Sequence, residues 1–269
     1  MELKVSIWSH YFHGRSPEEK LKEIAGCGYR YAELSTEDGD ELLSRGDPEK
    51  TGEKFYAEAK ALGVSLLQGH LMLEADILNQ GHVEGLKAWI TLFYAAGVRN
   101  MVLHYGRYPS TTLPPDRVLS QRVRALSALV DVLPKDACIC LENLGSPYDK
   151  DCTHLLRLID AVGSDQLGLC LDTGHLNLCG GDPAAYVVQA GSRLRALHIA
   201  DNEGFYDQHM MPYGRGTVPW ERFMRALNAS DYQGLFNYEI PGECQVPLEM
   251  RREKLRYLQK VAAYMASIR

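Results

Sequence analysis

The 269-residue chain predicts a single (β/α)8 barrel spanning residues 1–269. Three observations carry that expectation. Short β-type runs alternate with amphipathic helical stretches from end to end, and eight such units can be counted. The β-type runs are mostly continuous in apolar residues, as parallel strands covered on both faces require. The turn after the first run, SHYFHGRSP, lacks the GxGxxG pattern that opens a doubly wound dinucleotide-binding sheet. A closed barrel therefore fits better than an open sheet.

The first unit pairs KVSIWSH (4–10) with PEEKLKEIAGCG, whose apolar residues fall at helical spacing before a glycine stop. YRYAELS (29–35) is followed by PEKTGEKFYAEAKALG, again ended by glycine. VSLLQGHL (64–71) precedes VEGLKAWITLFYAAG, and NMVLHYG (100–106) precedes the long PPDRVLSQRVRALSALVDVL. ACICLENL (137–144) leads to DCTHLLRLIDAVG, and LGLCLDT (167–173) to DPAAYVVQAGS. LRALHIAD (194–201) is separated by a long loop from VPWERFMRALNAS. GLFNYEI (234–240) and the helical PLEMRREKLRYLQKVAAYM close the series. Ser16-Pro17, Asp47-Pro48 and Asp182-Pro183 each combine an N-cap residue with proline at the first helical position. No linker, low-complexity segment or charge block interrupts the pattern.

Composition narrows the function classes. With 45% hydrophobic and 24% charged residues the chain is ordinary globular material. Its net charge of -6 gives no overall attraction to nucleic acid or to an anionic membrane. No window is apolar enough to span a bilayer, and MELKVSIWSHYF does not read as a signal peptide. Seven cysteines form no CxxC pair, and Cys138, Cys140 and Cys170 lie in apolar runs. They read as reduced, buried thiols of a cytoplasmic protein.

The informative feature is what stands where the β-type runs end. His70, His104, Glu142, Asp172, His175, His198 and Glu239 all occupy such positions. In a (β/α)8 barrel the C-terminal strand ends meet at one mouth. One histidine or glutamate there is ordinary polar edging. Metal-competent residues ending every run from the third to the eighth are a pattern. Carboxylate and imidazole suit one divalent ion such as Mn, Co, Mg or Zn. Glu142, Asp172, His198 and Glu239 come from four consecutive runs and could grip it together. The loop after the seventh run adds Asp207-x-His209 and Gly214-Arg215-Gly216, where an arginine between glycines can approach a substrate oxygen. Trp8, with His10 and His13 beyond it, ends the first run and could wall the apolar side of a sugar or simply belong to the core. Glu33 ends the second, where it could reach substrate or bond a neighbouring strand. His82 and His154 open helices on the same side with no assigned role. Cations beyond Arg215, Arg107 and Arg15 are sparse there, so nothing marks a phosphate site.

The set LENLG, LDTGH and HIADN, with D-x-H-x-x-P-x-G-x-G-x-x-x-W at 207–220 and a final YEI, resembles the xylose isomerase-like TIM barrel superfamily. That group includes sugar isomerases and epimerases, inosose and dehydroshikimate dehydratases, and the endonuclease IV type of apurinic endonuclease. The resemblance covers nearly the whole chain. In its epimerase branch it implies a metal quartet of Glu142, Asp172, His198 and Glu239. The two glutamates would shuttle a proton, with His175 and Arg215 on substrate oxygens. The loop around Arg215 differs from the family pattern. In the endonuclease branch it implies up to three zinc ions on His70, His104, Glu142, Asp172, His175, His198, Asp207, His209 and Glu239. Tyr105-Gly106 and HMMPYGRG depart from that branch, and the loops HYFHGRSP and STEDGDELLSRGDPEK are neutral to acidic, a poor lining for phosphates. The expectation is a small sugar or polyol substrate and no nucleic acid. Members are often dimers or tetramers, so a homo-oligomer is one expectation.

Overall fold

The computed structural model describes residues 3–106 and 115–269; Arg107 and the start of the PPDRVLS stretch lie outside them. The strands are β1 (Lys4–Trp8), β2 (Tyr31–Leu34), β3 (Ser65–His70), β4 (Asn100–His104), β5 (Cys138–Glu142), β6 (Leu167–Asp172), β7 (Leu194–Ile199) and β8 (Leu235–Tyr238). They pair in sequence order, all parallel, and β8 closes on β1 through Lys4↔Leu235 to Ile7↔Tyr238. The (β/α)8 barrel expected from the alternation is the fold observed. The strands stop one or two residues short of the apolar runs at their C-terminal ends, where the chain turns into the mouth.

The helices are α1 (Pro17–Gly26), α2 (Thr36–Leu43), α3 (Pro48–Ala61), α4 (Gln80–Ala95), α5 (Pro115–Val130), α6 (Thr153–Val162), α7 (Thr173–Leu178), α8 (Pro183–Ala190), α9 (Trp220–Ala229) and α10 (Leu248–Ala266). The three proline-led starts are capped as expected. Ser16 accepts from the Glu19 amide in a capping box, Asp47 from Lys50, and Asp182 from Ala184. Two helices correct the sequence reading. The segment read as an acidic second loop contains α2, capped by Ser35, with Glu37 and Asp38 in its first turn. LDTGH runs directly into α7, because Asp172 is both strand end and N-cap, accepting from the His175 amide at 2.6 Å. Both helices are too short to show apolar periodicity. A turn of 3-10 helix, Ser9–Phe12, follows β1.

Side chains on a strand alternate faces, and paired residues of parallel strands face the same way. The outward residues Ile139, Leu141, Leu169 and Leu171 join the helices in the main core. Inward, Val102, Cys138, Cys140, Cys170 and Ala196 form a separate layer of small side chains. Two residues further along the same strands stand His104, Glu142, Asp172 and His198. The other half of the barrel interior is polar, unlike the continuous apolar filling expected. Ser6 donates to Asn237 at 2.9 Å, Gln68 donates to Glu33 at 3.1 Å, and Asn237 also donates to Glu33. No helix among the described residues is long and apolar enough to cross a membrane.

Helices α3 and α4 approach closely at Gly52, where a Cβ would overlap the Leu92 carbonyl oxygen and the Ala95 side chain. Gly52→Ala should therefore lower the stability to urea unfolding by about 1–3 kcal/mol. An unchanged midpoint would show that the two helices are not in backbone contact there.

Candidate functional site

Barrel geometry gathers the nine metal-competent residues of the sequence reading into three groups, two of which share Glu142. Glu142, Asp172, His198 and Glu239 each offer a donor atom within 4.8 Å of the others. His70, His104 and Glu142 form a second such group, and His175, Asp207 and His209 a third. Register explains the first two. His104 pairs with Glu142 across β4 and β5, and Asp172 pairs with His198 across β6 and β7. The third depends on the loop after β7 folding back. Asp201 and Met210 exchange backbone hydrogen bonds at 2.9 and 2.8 Å, which returns His209 to the mouth with a left-handed φ of 44°.

At the centre stands His198. Its Nδ1 lies 3.0 Å from Glu142 Oε1, 3.1 Å from Glu239 Oε2 and 4.0 Å from Asp172 Oδ2. Its Nε2 lies 2.8 Å from Glu33 Oε1 below. Three of the other four imidazoles, all but His104, share a pattern in which one nitrogen is anchored to a backbone carbonyl and the other faces the cluster. His70 Nδ1 is 2.8 Å from the Leu71 carbonyl oxygen, His175 Nδ1 2.9 Å from that of Asn143, and His209 Nδ1 2.8 Å from that of Glu239. A carbonyl only accepts, so each Nδ1 carries a proton, and Nε2 is the nitrogen left to meet a carboxylate as N–H or, once deprotonated, a cation. His70 Nε2 and His104 Nε2 are 3.2 Å apart, and both point at Glu142 Oε2.

The electrostatics follow from this crowding. Burial pushes Glu142 up, but the imidazoles of His198, His104 and His175 overcome it and hold the carboxyl well below its usual range. Glu239 is likewise held at about 2 against burial, chiefly by His198. Asp172, which has fewer imidazole contacts, is pushed up to about 7 by burial and by the carboxylates of Glu239 and Glu142. His209 is raised to about 10 against its burial, chiefly by its bond to Asp207. Asp172 Oδ2 is buried with no hydrogen-bond partner, and the buried Glu142 Oε2 faces only the His70 and His104 Nε2 atoms, 3.3 and 3.2 Å away and out of line for a hydrogen bond. Buried carboxylate oxygens without partners, ringed by outward-anchored imidazoles, fit a divalent cation.

The remaining predicted residues divide. Glu33 is fully buried and bonds His198, Gln68 and Asn237, so it braces the cluster from beneath instead of reaching the mouth. Trp8 pairs with Glu33 in register and so faces inward, one layer above Ser6. Arg215 is largely exposed and pairs with Glu203 at 3.4 Å, not with a carboxylate of the cluster. His82 accepts from the Asp76 amide, and His154 lies 3.1 Å from the buried Asp149. A cavity of about 410 Å³ adjoins the cluster, lined by His104, His175, Leu144, Glu74 and Asp76. A larger one of about 600 Å³ opens at the opposite end of the barrel, around Asn100, Arg195 and Tyr232, away from the ionisable groups.

The sequence reading missed the residues that lock the strand ends. The Asn143 side chain accepts from the Asp172 amide at 2.8 Å and donates to its carbonyl at 2.9 Å. Thr173 Oγ1 bonds the His198 and Ala200 carbonyls, and Thr36 reaches His70 and Leu71. Adjacency to a candidate donor, as in Glu142-Asn143 and Asp172-Thr173, was the signal that could have marked two of them; Thr36 carries no such signal.

A closed parallel barrel with carboxylates and imidazoles gathered at the C-terminal strand ends defines a (β/α)8 protein with a metal-competent mouth. The chain belongs to the xylose isomerase-like TIM barrel family, whose model matches residues 21–261. Among curated relatives, an uncharacterized protein of Sinorhizobium fredii is 30% identical over 171 residues, 62% of this chain and 55% of that one. A D-psicose 3-epimerase of Enterocloster bolteae is 31% identical over 65% of this chain and 62% of its own length. An L-ribulose 3-epimerase of Methylomonas sp. is 26% identical over 87% and 81%. The chain thus spans less than two thirds of the first two relatives. A D-psicose 3-epimerase solved in the presence of D-fructose superposes with a TM-score of 0.78 at 13% identity, over 98% of this chain and 99% of that one. That likeness speaks for the fold.

Asn143→Ala would leave the Asp172 amide and carbonyl without their partner. The expected loss is about 2–3 kcal/mol of stability, with faster hydrogen exchange at the Asp172 amide. Unchanged exchange there would refute the bridging role.

Proposed function

We propose that the chain is a divalent-metal-dependent isomerase or epimerase of a sugar or related polyol. The observation that carries this reading is the quartet Glu142, Asp172, His198 and Glu239, buried, mutually in reach and containing partnerless carboxylate oxygens. The names of the relatives support the same class. A divalent ion held by these four would supply Lewis-acid polarisation of a substrate carbonyl.

The protein's own part is proton handling. Glu142 ends β5, and Glu239 follows β8 with its amide bonded to the Ile199 carbonyl. Two strands lie between them, so their carboxylates approach a substrate from different sides. One removes the proton beside the carbonyl and the other returns a proton to the opposite face, which inverts that carbon. His175 offers an N–H or lone pair to a substrate hydroxyl. Loss of a β-hydroxyl after the same first step would give a dehydratase on the same site.

Glu142→Gln and Glu239→Gln should each lower turnover of D-psicose, D-fructose or L-ribulose by roughly 10²–10⁴-fold, with metal content measured alongside. NMR in D₂O should show exchange at a single carbon for epimerisation, or loss of an oxygen for dehydration. Wild-type activity retained in both variants would sink the assignment.

One observation favours a second reading, a phosphodiesterase with up to three zinc ions. His70, His104, His175, Asp207 and His209 also form donor groups beside the quartet. Metal per chain separates the two. About one ion supports the epimerase, and about three zinc ions would move abasic-DNA cleavage to the front. Under either reading chelation should lower the thermal midpoint and added metal restore it, since a bound cation stabilises only the folded state.

A further inference from the structure

His10 lies outside the cluster and is absent from the proton-handling scheme, yet its surroundings fix its chemistry. The residue sits in the 3-10 turn after β1, and its ring centroid is 5.2 Å from that of the inward-facing Trp8. Lys20 Nζ of α1 lies 3.1 Å from His10 Nδ1. Lys20 is itself buried and ion-paired with the buried Asp38 of α2. An ammonium group has three N–H donors and no acceptor. His10 Nδ1 facing it must therefore present a lone pair, and the imidazole is neutral with its proton on Nε2. A protonated His10 would set two N–H groups against each other.

This arrangement is held rigidly. Asp38 Oδ2 accepts from Ser9 Oγ at 2.5 Å, and Ser9 Oγ accepts from the Ser35 amide at 3.0 Å. The Ser35 hydroxyl caps α2 through the Asp38 amide. The buried pair thus ties the turn after β1 to α1 and α2 around the imidazole. The other charged or titratable groups near His10 are Glu37, whose Oε2 is 4.0 Å from Nδ1, and His13, whose ring centroid is 6.3 Å away. Burial and Lys20 hold His10 below its ordinary range, against the pull of Glu37 and Asp38.

We propose that His10 is a specificity-determining residue of the mouth: a neutral imidazole, locked by Lys20 as the Nε2–H tautomer, that donates one hydrogen bond to a hydroxyl of a polyol seated against the Trp8 ring. The inference rests on the polyol reading of the site and adds which end of the substrate is recognised. A fixed donor beside an aromatic face selects a sugar by the position of one hydroxyl, because an analogue lacking that oxygen leaves the N–H unpaired.

Two measurements test it. Long-range ¹⁵N–¹H spectra of the imidazoles should show His10 with an unprotonated Nδ1 and a protonated Nε2, and Lys20→Met should release that preference. Kinetics on D-psicose, D-fructose and L-ribulose should show KM raised roughly tenfold in His10→Leu with a much smaller change in kcat. His10→Gln, which keeps a donor, should recover most of the loss. A protonated Nδ1, or an unchanged KM in His10→Leu with wild-type turnover intact, would overturn the proposal and leave the epimerase reading standing. Absence of ketose turnover and binding in the wild type would instead overturn the polyol reading, and this inference with it.

Discussion

His198 stands between three carboxylates in the top of the barrel, and the rest of the site is arranged around that fact. Burying several carboxylates within a few ångströms of one another is strongly unfavourable unless positive charge or hydrogen-bond donors answer them. Here the imidazoles answer in part, holding Glu142 and Glu239 down while Asp172 is left raised. The remainder is unbalanced, because Asp172 Oδ2 has no hydrogen-bond partner and Glu142 Oε2 meets two imidazole nitrogens without forming a hydrogen bond. A cation completes such a set where proton sharing alone does not.

The scaffold keeps that set from relaxing. Beneath it Glu33, Gln68, Asn237 and Ser6 form a bonded layer, so His198 is gripped from below and its Nδ1 can only face the quartet. Beside it Asn143 and Thr173 stitch β5, β6 and β7 at the level of the donors. Small side chains deeper in the barrel, Cys138, Cys140, Cys170 and Ala196, fill the taper without competing for the polar layer. The thiols of Cys140 and Cys170 are packing groups. Burial raises Cys140 and Cys170, which keeps them from acting as thiolates.

The loops divide the remaining work by the same logic. The loop after β7 is organised by buried Asp201, which accepts from the Trp220 indole at 2.8 Å and from the Val218 amide at 3.1 Å. That anchoring delivers Asp207 and His209 to the mouth and leaves Arg215 outward on Glu203. On the far side, Lys20 and Asp38 bury a charge pair under the first loop. Such a pair adds little net stability but fixes which neighbours can be protonated. In both cases one buried aspartate sets the direction of several exposed groups.

Much of this was legible in the chain. The alternation of β-type and helical runs specified the barrel, because strand and helix periods are local properties of residue type. The candidate donor residues stood out because each lies at or just beyond the end of an apolar run, and the barrel brings all such ends to one face. Cap residues before Pro17, Pro48 and Pro183 were likewise local. What the sequence could not contain was direction and pairing across distance. Helices α2 and α7 are too short to show a period, and Glu33 looks like any strand-end carboxylate until the barrel closes it under His198. Nothing in PEEKLKEIAGCG singles out Lys20, yet packing of α1 on α2 buries it against Asp38. Sequence by itself determined the element order and the inventory of donor atoms. Tertiary structure alone decided which donors share a centre and which nitrogen of each imidazole faces the cluster, because those depend on distances of a few ångströms between residues mostly tens of positions apart.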